Sequence, residues 1–222
     1  KVEGMDGPNK RKADGFYRLL ADLKRNGCPV HGCGMQAHFN AAGTGNKRPP
    51  TPRMVKNQIR RLGHLGLSVN ISEMDVRVMG LPRHLRSLAQ IEIYRDILAA
   101  ALTEPAFDGI WVWGVSDKHS WVPWFYRTGD TPLLLDASYA RKPAYYAVRE
   151  ALLALTPGGS GLPWDGEDDM DPRTQQPWGS KWMQPEPAVE PSTGTNSQQQ
   201  QQANGASKQP FAGDARPDWE IE

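Results

Sequence analysis

Leu67-Ser68-Val69-Asn70-Ile71-Ser72-Glu73-Met74-Asp75-Val76 is the stretch on which the reading of this chain turns. Its first half alternates, with Leu67, Val69 and Ile71 on one face of a strand. In an unbroken strand Glu73 and Asp75 continue that parity. Two carboxylates then leave the strand end, roughly 6.6 Å apart, on the face that is apolar lower down. The carboxyl end of a strand in a parallel α/β sheet is where ligands bind. Spacing alone leaves two readings of the pair open: a solvated, salt-bridged strand end, or a chemical site.

The flanks decide the class of fold. Upstream, residues 51–66 open on Thr51-Pro52, a capping residue before a first-turn proline, carry Val55, Ile59, Leu62 and Leu65 at helical spacing, and stop at Gly66. Further upstream, residues 9–26 place Phe16, Leu19, Leu20 and Leu23 on one helical face and end at Asn26-Gly27. Between these helices, residues 30–39 predict a short strand running into a loop. Downstream, residues 85–102 predict a helix with Ala89, Ile93, Ile97 and Ala100 on one stripe. Residues 110–115 predict a buried strand and residues 116–136 a long aromatic loop. Residues 143–155 predict a last helix with Ala144, Val148, Leu152 and Leu155 in register. Regular alternation of helix and strand implies right-handed crossovers and a parallel sheet. Three strands are legible, with residues 1–3 a candidate remnant of a fourth.

Composition narrows the partners. The 222 residues carry 26 Lys and Arg against 25 Asp and Glu, a formal net charge of +1. That balance argues against nucleic acid or an anionic membrane surface as a partner. No apolar run approaches the roughly 20 residues of a membrane helix. The only cysteines, Cys28 and Cys33, are too few for a disulfide framework. Residues 1–156 read as the ordered domain. Residues 157–222 are rich in Pro, Gly, Ser and Gln, include five consecutive glutamines at 198–202, and hold few aliphatic residues, so they read as a disordered tail. Trp164, Trp178, Trp182 and Trp219 stand out in it. They are expected to make transient contacts on the domain surface; a motif docking a partner or a sugar is the alternative.

Three strand ends carry polar clusters: Gln36 and His38; Ser72, Glu73 and Asp75; and residues 113–121, with Trp113, Asp117, Lys118, His119 and Trp121. Amides and carboxylates match sugar hydroxyls, and indole faces stack on a pyranose. At these residues the chain resembles glycoside hydrolase family 10, the retaining endo-β-1,4-xylanases. Gly32-Cys33-Gly34-Met35-Gln36-Ala37-His38-Phe39 is similar to the family's Gly-Val-Gly-x-Gln-x-His-x, and Ile71-Ser72-Glu73-Met74-Asp75-Val76 to its Ile-Thr-Glu-Leu-Asp-Ile. The run from Trp113 to Trp121 is similar to its Trp-Gly-Val-x-Asp-Lys-Tyr-Ser-Trp, with His119 in place of Tyr. Leu134, Leu135, Asp136 and Lys142-Pro143-Ala144-Tyr145 match its late motif. The resemblance implies an α/β fold: the C-terminal half of a (β/α)8 TIM barrel, about strands 6–8 with their helices, ahead of the tail. It implies Glu73 as the nucleophile, His38 bonded to Glu73, and Asp75 holding His38. Gln36, Trp113, Trp121 and Lys118 would meet the substrate, xylan or a xylo-oligosaccharide, with no cofactor. An extracellular setting is expected from the family, although no signal peptide is present in this sequence.

A retaining glycosidase needs a second carboxyl group about 5–5.5 Å from the nucleophile. The family's acid/base sits in an Asn-Glu motif, and this sequence contains no Asn-Glu. The expectation is therefore that the chain is part of a longer polypeptide or a truncated gene product, lacking the N-terminal half of the barrel and inactive alone. A three- or four-stranded sheet with helices on one side would leave Leu67, Val69 and Ile71 facing water. Two alternatives stay open: a non-catalytic carbohydrate-binding remnant of the same fold, and another barrel glycosidase such as a β-1,4-glucanase. Cys28, His31, Cys33 and His38 lack a usual zinc-ligand spacing, so no metal is assigned and the cysteines read as half-buried free thiols.

Overall fold

The computed structural model describes residues 10–44, 48–154, 169–171 and 173–183. All of these fall in a single unit, Lys1–Pro187. Helix α1 (Lys10–Arg25) stops at Gly27, whose φ of 72° ends it in the left-handed region. The amide of Cys28 donates to the carbonyl of Leu23 and that of Gly27 to Lys24, which is the Schellman closure expected of Asn-Gly. Strands β1 (Gly32–Met35) and β2 (His38–Asn40) follow. Helix α2 (Pro52–Gly63) starts as the sequence predicts, with Thr51 Oγ1 accepting from the Met54 amide. Then come β3 (Ser68–Arg77), α3 (Arg83–Leu102), β4 (Phe107–Val112), the short α4 (Trp121–Tyr126) and α5 (Pro143–Ala154).

β3 is the centre of a parallel sheet. β1 and β2 pair with it along one side and β4 along the other. The register carries an irregularity that the sequence does not announce. From Met35↔Ile71 to His38↔Asp75, the β1–β2 segment advances 38 − 35 = 3 residues while β3 advances 75 − 71 = 4. On the other side, from Ile71↔Ile110 to Met74↔Val112, β3 again advances one residue more than its neighbour. β3 therefore bulges at Ser72 and Glu73, and a bulge inverts the parity beyond it.

The parity expected above is corrected accordingly. Val69 and Ile71 are 0% exposed and pack with Ile59, Leu62, Ile93 and Ile97 of the covering helices; Leu67 is buried with them. They do not face water. Each such side chain contributes about 1.5–3 kcal/mol on burial. Ser68, Asn70 and Ser72 lie on the opposite face, where Cβ atoms at Gly32 and Gly34 would meet their side chains. Past the bulge, Met74 and Val76 take over the helix-facing positions.

Four further expectations change. The single strand at 30–39 is two strands, and the loop at 116–136 contains a 3-10 turn (Asp117–His119) and α4. α5 buries Ala144, Ala147 and Ala151, leaving Leu152 at 43% and Leu153 at 45% exposed, so its inner face is the alanine side. In α1, Leu20 is buried while Leu19 is 55% exposed.

The tail is not structureless throughout. Residues 169–183 contain a short antiparallel pair, β5 (Met170–Asp171) and β6 (Gln176–Pro177), and bury Trp178 and Trp182 to 3% and 1% exposure. Both indoles donate to carboxylates on α3: Trp178 Nε1 to Asp96 Oδ2 at 2.9 Å and Trp182 Nε1 to Glu92 Oε2 at 2.7 Å. Arg173 bridges Asp171 and Asp96 beside them. Two large aromatics with satisfied N–H groups hold this strap where aliphatic residues are scarce. Trp164, Trp219 and residues 1–3 lie outside the described residues.

Candidate active site

His38 enters β2 immediately after Ala37, whose φ of 63° is left-handed and costs a non-glycine residue free energy. That turn resets the strand so that His38 stands opposite Asp75. The imidazole then reaches both acids of the bulged strand. His38 Nδ1 is 2.8 Å from Asp75 Oδ2, and His38 Nε2 is 3.1 Å from Glu73 Oε2. Trp121 Nε1 donates to the same Asp75 oxygen at 2.7 Å. Ionised carboxylates only accept, so an imidazolium donating from both nitrogens satisfies the two contacts together. Desolvation pulls the His38 pKa down, but the hydrogen bonds and charges of Asp75 and Glu73 outweigh it and hold the value above that of an ordinary histidine.

Asp75 is wholly buried, whereas Glu73 keeps part of its surface open to a cleft of about 980 Å³. The rest of that cleft is drawn from the start of α1, the β1–β2 segment, residues 48–50 and the first turns of α2, β3 itself, and the two aromatics Trp121 and Tyr126. The aromatics form a packed wall. Trp121 meets the His38 ring edge-on at 5.2 Å and lies 5.7 Å from Tyr126; Arg77 stacks over Tyr126 at 3.4 Å.

The loop that delivers Trp121 is fixed by a partly buried lysine. Lys142 Nζ donates to Asp117 Oδ2 at 3.0 Å and to the carbonyls of Thr131 and Leu133 at 2.7 Å each. Asp117 Oδ1 accepts from the Leu133 amide. Burial lowers the Lys142 pKa and raises that of Asp117. These two motif residues thus tie the loop after β4 to the start of α5.

Of the residues singled out in the sequence, Gln36, His38, Glu73 and Trp121 line one cleft, with Asp75 behind them. Trp113 and Lys118 are not among its lining residues. Trp113 is half-exposed at the end of β4, and Lys118 Nζ lies 5.8 Å from the Tyr139 ring centroid. Tyr126, Asn70 and the 48–50 segment are cleft residues that sequence reasoning missed; the inverted parity past Ile71 is the reason for Asn70, and the unforeseen α4 for Tyr126. Among the described residues no group of three His, Cys, Asp or Glu side chains is arranged to hold a metal ion, and Cys28 and Cys33 are free thiols.

Comparison with known proteins adds a family. The family described as Glycosyl hydrolase family 10 matches residues 4–151. Endo-1,4-beta-xylanase B of Thermotoga neapolitana is 33% identical over 147 residues, covering 64% of this chain and 39% of the relative. Endo-1,4-beta-xylanase 2 of Aureobasidium pullulans is 33% identical over 144 residues, covering 64% and 40%. Among solved structures, native xylanase 10B from Thermotoga maritima superposes with a TM-score of 0.58 at 34% identity, over 67% of this chain and 44% of that one. Xylanase 10B from Thermotoga petrophila in complex with xylobiose gives 0.58 at 35% identity, over 67% and 43%. The chain thus spans about two fifths of the length of the relatives it matches.

Proposed function

This chain belongs to glycosyl hydrolase family 10, and on that premise we propose that it is the nucleophile-bearing part of a (β/α)8 enzyme hydrolysing internal β-1,4 bonds of xylan with retention. The observation that carries the reading is the relay Asp75–His38–Glu73, ending on a carboxylate that opens into a cleft walled by Trp121 and Tyr126.

In this reading Glu73 attacks the anomeric carbon. The bond to the leaving oxygen breaks as a glycosyl ester forms, and a proton donor supplies the departing alkoxide. A water, deprotonated by the same donor's conjugate base, then displaces Glu73 with a second inversion. His38 donates to Oε2 throughout and stabilises the carboxylate as it leaves. Asp75, fixed by Trp121, balances the imidazolium charge. Gln36 and Trp121 contact the sugar beside the scissile bond. Trp113 and Lys118 meet sugar only further along the rim.

Glu73 is the sole carboxylate among the described residues lining the cleft. The proton donor therefore comes from polypeptide other than these residues, and isolated chain is expected to leave xylan uncut. The same observation supports the second reading, a carbohydrate-binding module that does not cleave. Xylan is polymeric, so the complete protein would work outside the cell.

A dinitrophenyl 2-fluoro-xylobioside separates the two readings, because dinitrophenolate departs without protonation. Peptide mass analysis should find the fluoro-xylobiosyl group on Glu73, and none after Glu73→Gln. An adduct on another carboxylate would overturn the assignment. Sugar binding without any adduct would favour the binding module.

A further inference from the structure

The strap at 169–183 lies beyond the family match at 4–151. Trp178, Trp182 and Arg173 bond it to Glu92 and Asp96 of α3. Its first described residue reaches elsewhere, to the N-terminus of α2. Asp169 Oδ1 accepts from Thr51 Oγ1 at 2.7 Å, and Asp169 Oδ2 accepts from Arg53 Nε at 2.8 Å. The Asp169 carbonyl also accepts from the Trp178 amide at 2.8 Å, which ties Asp169 to the indole-bearing part of the strap.

Thr51 is therefore used twice. Its hydroxyl oxygen accepts from Met54 N, capping α2, while its hydrogen goes to Asp169. A carboxylate beside a helix N-terminus also faces the favourable end of the helix dipole. The segment these bonds hold is cleft wall: Arg48, Pro49, Pro50, Met54 and Val55 line the cavity that Glu73 lines. The Asp169–Arg53 ion pair is about a third exposed on both sides, so its contribution to stability is small and its effect is on geometry.

We propose that Asp169 is a positioning residue for the cleft: through Thr51 and Arg53 the strap fixes the first turn of α2, and with it the wall at residues 48–55. The strap thus couples a segment outside the family match to the surface that receives the ligand.

The test uses the whole 222-residue chain with Asp169→Ala, Asp169→Asn and Trp182→Ala. Amide hydrogen exchange is followed at Met54 and Val55, and xylohexaose affinity by calorimetry. Asp169→Ala should speed exchange at both amides roughly five- to tenfold, about the loss of one capping interaction, and weaken xylohexaose binding several-fold. Asp169→Asn retains an acceptor for Thr51 and should recover more than half of each effect. Trp182→Ala, by loosening the strap, should speed the same amides if it folds; the Asp169 pair decides the matter if it does not. Unchanged exchange in Asp169→Ala overturns the proposal, and so does faster exchange with unaltered affinity. The sugar measurement rests on the cleft reading above, whereas the exchange measurement does not. If wild-type chain fails to bind xylohexaose, that reading fails, and exchange at the cleft-lining amides judges the positioning role by itself.

Discussion

At the scale of single residues, His38 joins the two acids of the bulged strand. Its pKa is raised, so its ionic contribution to stability is fully present below the unfolded value of about 6.5 and is lost as pH rises through the higher folded value. Denaturant midpoints of wild type and His38→Gln should therefore converge as pH climbs through that window. A constant difference from pH 5 to 9 would show that the imidazolium makes no ionic contribution. On the proposal that Glu73 is the nucleophile, Glu73→Gln in the complete protein should lower kcat at least about a thousandfold, since the covalent route would then be lost. Steady-state rates with xylan decide it, and substantial residual turnover would mean the nucleophile lies elsewhere. The contacts of His38 with Glu73 and Asp75 were expected from the family resemblance, which the short motifs around 32–39 and 71–76 carry. The raised pKa of His38 was not, because it depends on two distances, 2.8 and 3.1 Å, that no spacing encodes.

Among elements, helix starts and stops were the most legible feature. Thr51-Pro52 and Asn26-Gly27 do locally what the sequence dictates, whereas α2 ends at Gly63, three residues before the left-handed Gly66. The bulge in β3 was hidden, because residues from Ser72 to Val76 alternate acceptably in either register and only the neighbours' pairing shows the extra residue. The inner face of α5 was only partly foreseen: Ala144 is buried and Val148 packs on the core as expected, but Leu152 is exposed and Ala147 and Ala151 take the inner positions, which no periodicity of apolar residues distinguishes. Gly114, two residues past the end of β4, has φ 132°, and a Cβ there would stand 2.8 Å from Leu133 Cδ1. Leu133 is fully buried and has little room to yield. Gly114→Ala should then destabilise by about 1–3 kcal/mol, read from urea midpoints. A neutral substitution would show that the β4 exit is more plastic than its geometry implies.

The molecule as a whole carries a layer that local reading missed. α3 buries Tyr94, Leu98 and Ala101 as well as its expected stripe, along with Glu92 and Asp96. A helix apolar on so much of its circumference needs a second cover, and Trp178 and Trp182 supply part of it. Compositional arguments for disorder failed here because two indoles, packed edge to face at 5.4 Å, bury what several aliphatic residues would. Trp182→Ala should cost about 3–5 kcal/mol, measured by thermal or urea denaturation. A loss below about 1 kcal/mol would mean the strap is only loosely attached.

The contrast between buried and open indoles has an optical consequence. Trp178 and Trp182 are enclosed, whereas Trp111, Trp113 and Trp124 are each about half exposed or more in the folded chain. Emission from the native protein thus already contains a large water-facing share, and its wavelength should shift modestly on complete denaturation. A blue-edge component quenched late by acrylamide would isolate the two strap chromophores, giving a signal for detachment that is separate from melting of the sheet.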